Sequence, residues 1–103
     1  MQVIGLEHLE EFWQRYPRAK PPLTRWLGIV TTGDVWTCFL DVRAVFPSAD
    51  IVTVASGKNV VVFDIGGNKY RLITGMEYKK QLVVVLTVLT HEKYDEEKWK
   101  YTL

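Results

Sequence analysis

Apolar residues recur at helical spacing in the first half of the chain and at strand spacing in the second. Leu6, Leu9, Phe12, Trp13 and Tyr16 fall on one face of a helix, with Glu7, Glu10, Glu11 and Gln14 between them. Pro17 ends that helix. Pro21 and Pro22 suit the first turn of a second, whose buried stripe is Leu23, Trp26, Leu27 and Val30 and whose stop is Thr31-Thr32-Gly33. A third, short helix is predicted from about Thr37 to Phe46, because Leu40, Val42, Val45 and Phe46 are apolar and Pro47 halts it.

From Ile51 onward the pattern reads as sheet. Ile51–Ala55 is a short strand, Ser56-Gly57-Lys58-Asn59 a turn, and Val60–Ile65 a strand rich in β-branched residues. Gly66-Gly67-Asn68 is a tight hairpin turn, and Lys69–Met76 is the returning strand. After a turn at Glu77–Gln81, Leu82–Thr90 is nearly all apolar, as a central strand covered on both faces would be. His91–Asp95 reads as a polar segment, and Glu96–Tyr101 as a final helical turn or a mobile tail. Strands joined by short turns predict an antiparallel meander. Helices gathered before them predict an α+β fold with the helices on one face of the sheet.

Length adds that 103 residues make one domain, 1–103. The 48% hydrophobic content supplies a core, and 24% charged residues exclude disorder as the main state. The single cysteine, Cys38, cannot form an internal disulfide, and a buried thiol is its default reading. The start of the chain lacks a basic, apolar leader pattern, and the run Leu82–Leu89 is too short to span a bilayer. A cytoplasmic protein is expected, with no membrane partner. Thirteen Lys and Arg against 12 Asp and Glu give a net charge of +1, so any site for an anion must come from local clustering. No metal-ligand spacing and no cofactor fingerprint is present; Gly66-Gly67 lacks the spacing of a phosphate loop.

Two segments carry candidate chemistry. In a strand starting at Lys69, Lys69 and Arg71 share one face and Tyr70 and Leu72 the other. If Tyr70 and Leu72 lie under the helices, the two cations are held on the open face beside a glycine turn. That arrangement suits a phosphate backbone, and a solvated strand face accounts for the same spacing. Thr90-His91-Glu92-Lys93-Tyr94-Asp95 follows the most buried strand, so the core fixes its position. His91 and Tyr94 are groups that can move a proton, and cleavage of RNA by its 2′-hydroxyl needs such groups together with cations on the phosphate. A polar strand end bearing one surface histidine explains them equally. His8, among glutamates, and the Lys79-Lys80 pair read as solvated.

Taken together, Phe46-Pro47-Ser48-Ala49-Asp50, Val62-Phe63-Asp64-Ile65-Gly66-Gly67-Asn68-Lys69-Tyr70-Arg71-Leu72-Ile73 and Thr90-His91-Glu92-Lys93-Tyr94-Asp95 resemble the HigB toxins, in the same order over nearly the whole chain. The resemblance implies a RelE-like fold and a type II toxin that cleaves mRNA on the ribosome without a metal. It also implies a cognate antitoxin, of helix-turn-helix type, as partner. It places catalytic roles on Lys69, Arg71, His91 and Tyr94, RNA-binding on Lys69, Arg71 and Lys93, and a turn-forming role on Asn68. Where the family usually carries a cation in the last strand, this chain has Leu86, and before Phe46 it offers only Arg43. A weak nuclease, a toxin that only binds its antitoxin, and a gyrase-directed toxin on the same fold are the readings left open. A cation at position 86 would add to phosphate binding if that residue faces the open side of the sheet, and would bury a charge if it faces the core.

Overall fold

The computed structural model describes residues 1–103. The first helix, α1, covers Leu6–Arg15 and stops where the sequence predicts. Tyr16, the residue before Pro17, is pushed out of the helical region to φ −125° and ψ 79°. A short 3-10 turn, Pro17–Ala19, leads into α2 at Lys20–Thr32, with proline in its first turn and Gly33 at its C-terminus. The third helix, α3, is Phe39–Val45, two residues shorter at its start than predicted. There the Asp41 carboxylate accepts hydrogen bonds from the backbone N–H and hydroxyl of Thr37, which tie Thr37 into the turn ahead of the helix.

Five strands form one sheet in the order β1-β5-β4-β3-β2. β2 (Asp50–Thr53), β3 (Asn59–Ile65), β4 (Tyr70–Glu77) and β5 (Leu82–Thr90) make the predicted antiparallel meander. The α+β expectation holds, with one correction. Gln2–Ile4 forms an extra strand, β1, which runs parallel to β5 and makes the sheet mixed. Three residues are too few to display a strand period, so the hydrophobic pattern does not reveal it. Gly5, at φ +86°, turns the chain from β1 into α1; a Cβ there would lie 2.6 Å from the Val85 carbonyl oxygen.

The sheet separates two apolar layers. On one face, Leu9 of α1, Leu23, Trp26 and Val30 of α2, and Val42 of α3 pack onto Phe63, Leu72, Val83 and Val85. Phe63 sits between Trp26 and Phe46, with ring centroids 5.4 and 5.2 Å away. On the other face, Val54, Val60, Val62 and Ile73 make a smaller core closed by Trp99. The chain end, a polar segment by pattern, forms a short helix α4 at His91–Asp95 and a 3-10 turn at Lys98–Tyr101. The Ala55 N–H donates to the Lys100 carbonyl at 2.9 Å, and the Ser56 hydroxyl to the Leu103 carbonyl at 2.8 Å, which fasten this segment over the outer face.

Two further expectations change. Cys38 is exposed, because it precedes α3 in the loop that leaves α2. Leu86 is the extra residue of a β-bulge: Ile73 pairs with Thr87 and Thr74 with Val85. Its side chain faces away from the helices but packs against the outer core instead of standing open. No helix is long and apolar enough to cross a membrane.

Candidate functional site

The β3–β4 hairpin and the end of β5 meet at one corner of the sheet. The hairpin turn has three successive residues with positive φ, Gly66 at 67°, Gly67 at 65° and Asn68 at 75°, which glycine and asparagine accept at little cost. This turn sets the register that pairs Ile65 with Tyr70 and Asp64 with Arg71. Tyr70 in turn pairs with Thr90, the last residue of β5. Thr90 then caps α4, its hydroxyl accepting the Lys93 N–H at 3.2 Å. The His91 N–H donates to the Lys69 carbonyl at 2.9 Å. Local pairing therefore brings Lys69, Arg71, His91 and Tyr94 to the same corner.

The side-chain alternation runs as predicted. Tyr70 and Leu72 lie under the helices, Tyr70 edge-on to Phe12 at 5.4 Å, and Arg71 points to the other face. That face is not open at Arg71, however. Arg71 is only 8% exposed. Its Nε lies 3.0 Å from the Asp64 carboxylate, one Nη donates to the Asn68 and Tyr70 carbonyls at 3.2 Å, and the other donates to Asn68 Oδ1. The Tyr94 ring covers the guanidinium at 5.3 Å. Arg71 is thus a fixed charge, half neutralised by Asp64. Lys69 differs from the expectation in another way: β4 starts at Tyr70, so Lys69 sits in the turn, exposed, with no carboxylate within ion-pair distance.

His91 Nδ1 lies 2.8 Å from the Asp95 carboxylate one helical turn on. With Nδ1–H donating there, the neutral imidazole presents Nε2 as its acceptor. Tyr94 is stacked on Trp99, with centroids 5.2 Å apart and planes at 20°, and its carbonyl accepts the Trp99 indole N–H at 3.0 Å. Burial pushes the Tyr94 phenol above the ordinary tyrosine range, against the opposing pull of Arg71 and Lys100. The phenol therefore keeps its proton at neutral pH. Lys93 lies on the same short helix, lining a groove between α1 and the edge of β5, its ammonium 3.4 Å from Glu96. No three His, Cys, Asp or Glu side chains gather as a ligand set.

Asp64, Asp95 and Trp99 were not singled out from the sequence. The first two had a signal: the length of the hairpin turn places Asp64 opposite Arg71, and Asp95 stands four residues after His91. Trp99, in a charged tail that also carries the exposed Tyr101, had none.

Helices on one face of a small sheet, with Lys69, Arg71, His91 and Tyr94 at the end of a hairpin instead of in a closed pocket, match a RelE-like build. The family described as HigB toxin, the RelE-like toxic component of a toxin–antitoxin system, matches residues 19–97, and the chain belongs to it. It is 28% identical over 95 residues to the mRNA interferase toxin HigB of Escherichia coli (strain K12), an overlap covering 92% of this chain and 88% of that one. The mRNA interferases HigB of Escherichia coli O157:H7 and of Shigella flexneri match to the same extent. Membership of a toxin–antitoxin family makes an antitoxin its partner.

Proposed function

We propose that this chain is an mRNA endoribonuclease that acts on the translating ribosome and folds as one domain over residues 1–103. The observation that carries the reading is the convergence of Lys69, Arg71, His91 and Tyr94 through two local contacts, His91 N–H to the Lys69 carbonyl and Arg71 under the Tyr94 ring. The related mRNA interferases support the ribonuclease part of the reading.

In this reading His91 Nε2 takes the proton of the 2′-hydroxyl, and Asp95 steadies the imidazolium that forms. The 2′-oxygen bonds to phosphorus as the bond to the 5′-oxygen breaks, leaving a 2′,3′-cyclic phosphate. The Tyr94 phenol gives its proton to the departing 5′-oxygen. Lys69 binds the phosphate beside the 2′-hydroxyl, Arg71 supplies a fixed positive field, and Lys93 meets the RNA backbone further along. Base, acid and cations are all side chains, so the chemistry is metal-independent.

Mapping mRNA ends after a pulse of expression tests this. The expected result is new cuts within translated frames, ending in 2′,3′-cyclic phosphate and formed equally with a chelator present. Growth arrest with intact mRNA and broken DNA would establish the gyrase reading. Harmless expression with intact mRNA would leave a protein that only binds its antitoxin.

A further inference from the structure

Past α4 the chain doubles back on itself. Glu97 takes the left-handed conformation, φ 61° and ψ 5°, which a residue with a Cβ adopts only at a cost. The reversal returns Trp99 to Tyr94. The Glu97 N–H donates to the Tyr94 carbonyl at 3.1 Å, and the Trp99 indole N–H donates to the same oxygen at 3.0 Å. Two donors from the tail thus take both lone pairs of one carbonyl. The indole is stacked on the phenol ring at 5.2 Å, and the Arg71 guanidinium lies over that ring at 5.3 Å.

Trp99 can hold Tyr94 because it is itself held. Trp99 is only 7% exposed and packs with Val54, Val60, Val62 and Ile73. The Ala55 N–H bond to the Lys100 carbonyl pins the tail just beyond it. Tyr94 needs such support. It is half-buried, on a helix of five residues, too short to persist by its own hydrogen bonds. The Thr90 cap fixes the start of that helix, and the tail fixes its end. A buried indole against the ring and two donors on the carbonyl fix both the side chain and the backbone of one residue, more than closing an apolar core requires.

We propose that Trp99 is a positioning residue, which aims the Tyr94 phenol at the departing 5′-oxygen and acts on cleavage only through Tyr94. The proposal rests on the nuclease reading, with Tyr94 as the acid. In that reaction the 2′-oxygen bonds to phosphorus, the bond from phosphorus to the 5′-oxygen breaks, and the phenol proton ends on the 5′-oxygen. An acid displaced by even an ångström loses most of its effect on such a step. Residues 98–103 lie beyond the stretch matched to the family, so membership of it does not supply this role.

Single-turnover cleavage on programmed ribosomes tests this, with two mRNAs that differ by one atom at a mapped cut: an ordinary phosphodiester, and one whose bridging 5′-oxygen is sulfur. A thiolate departs without a proton, so the sulfur mRNA needs no acid. On the ordinary mRNA, Trp99→Leu and Tyr94→Phe are both expected to lose on the order of 10²-fold in rate with ribosome affinity unchanged. On the sulfur mRNA both are expected to return close to wild type. Trp99→Phe keeps a ring against Tyr94 and fills most of the core, so it is expected to fold and to lose severalfold on the ordinary mRNA alone. It decides the matter if Trp99→Leu melts. Tyr101→Ala, 80% exposed in the same tail, is expected to change neither rate. Equal losses on both mRNAs in a folded Trp99 variant show that the indole serves the fold alone and overturn the proposal, as does full cleavage of the ordinary mRNA by Trp99→Leu. A Tyr94→Phe variant that treats the two mRNAs alike removes Tyr94 as the acid and the proposal with it. A wild-type protein that cuts neither mRNA overturns the nuclease reading itself.

Discussion

Arg71 and Lys69 sit two residues apart, yet their side chains do different physical work. Arg71 is bonded through all three nitrogens, so Arg71→Ala leaves Asp64 and two carbonyls without a donor and is expected to cost about 1–3 kcal/mol. Arg71→Lys cannot reproduce the fork and is expected to lose most of the same stability. Lys69→Ala, in an exposed turn, is expected to stay within about 0.5 kcal/mol of wild type while cleavage falls on the order of 10²-fold or more. Thermal melts beside cleavage assays separate the two, and a large stability loss from Lys69→Ala would contradict its free placement. Tyr94 makes a prediction in pH. Its proton is held more tightly in the folded chain than in the unfolded one, as burial also does for Tyr78. The associated stability is full below the ordinary tyrosine range and is lost as pH rises through the folded value. Tyr94→Phe is expected to flatten part of that alkaline loss in melts taken from pH 8 upward. An identical alkaline slope in the variant would count against the buried phenol.

At the scale of elements, sequence and structure agree wherever a period is long enough to see. α1 and α2 follow from apolar spacing and from Pro17, Pro21 and Pro22; β5 matches its predicted bounds. Two short elements escaped. β1 has three residues, and α4 has five, whose sequence His91-Glu92-Lys93-Tyr94-Asp95 shows no apolar stripe because its place is fixed by the Thr90 cap and by Tyr94 on Trp99. The candidate site was legible as residue types in two motifs. What remained hidden was how deeply Arg71 lies, since alternation gives the face a side chain takes and not what covers that face. The cover is the Tyr94 ring, itself stacked on Trp99 of the tail. The same cover decides Leu86. An arginine there would enter the outer apolar core beside Trp99, so Leu86→Arg is expected to lose about 1–3 kcal/mol with no gain in cleavage. A variant as stable as wild type and faster in cleavage would show that the outer core opens at that position.

For the molecule as a whole, positive and negative charge are balanced. Net charge is +1, and around the corner Arg71 faces Asp64, His91 faces Asp95 and Lys93 faces Glu96. A surface so balanced provides little long-range attraction for RNA. Binding to a free single-stranded RNA is therefore expected to be weak, with a salt slope of about −0.7 to −1.4, the value for one or two phosphate contacts on a single strand. Titration at several salt concentrations measures it. A steep slope would mean that exposed lysines away from the corner, such as Lys79 and Lys80, join the contact.

The parallel pairing of β1 with β5 also orders events in time. Gln2–Ile4 can find Leu82–Val84 only after most of the intervening chain has been made, and closing so long a loop carries a large entropy cost before any contact repays it. α1 packs on β5 as well, so the first helix waits with the first strand for a late-synthesised platform. Thr90, His91 and Tyr94 emerge later still. A chain interrupted before β5 is made thus has neither a finished sheet nor an assembled corner.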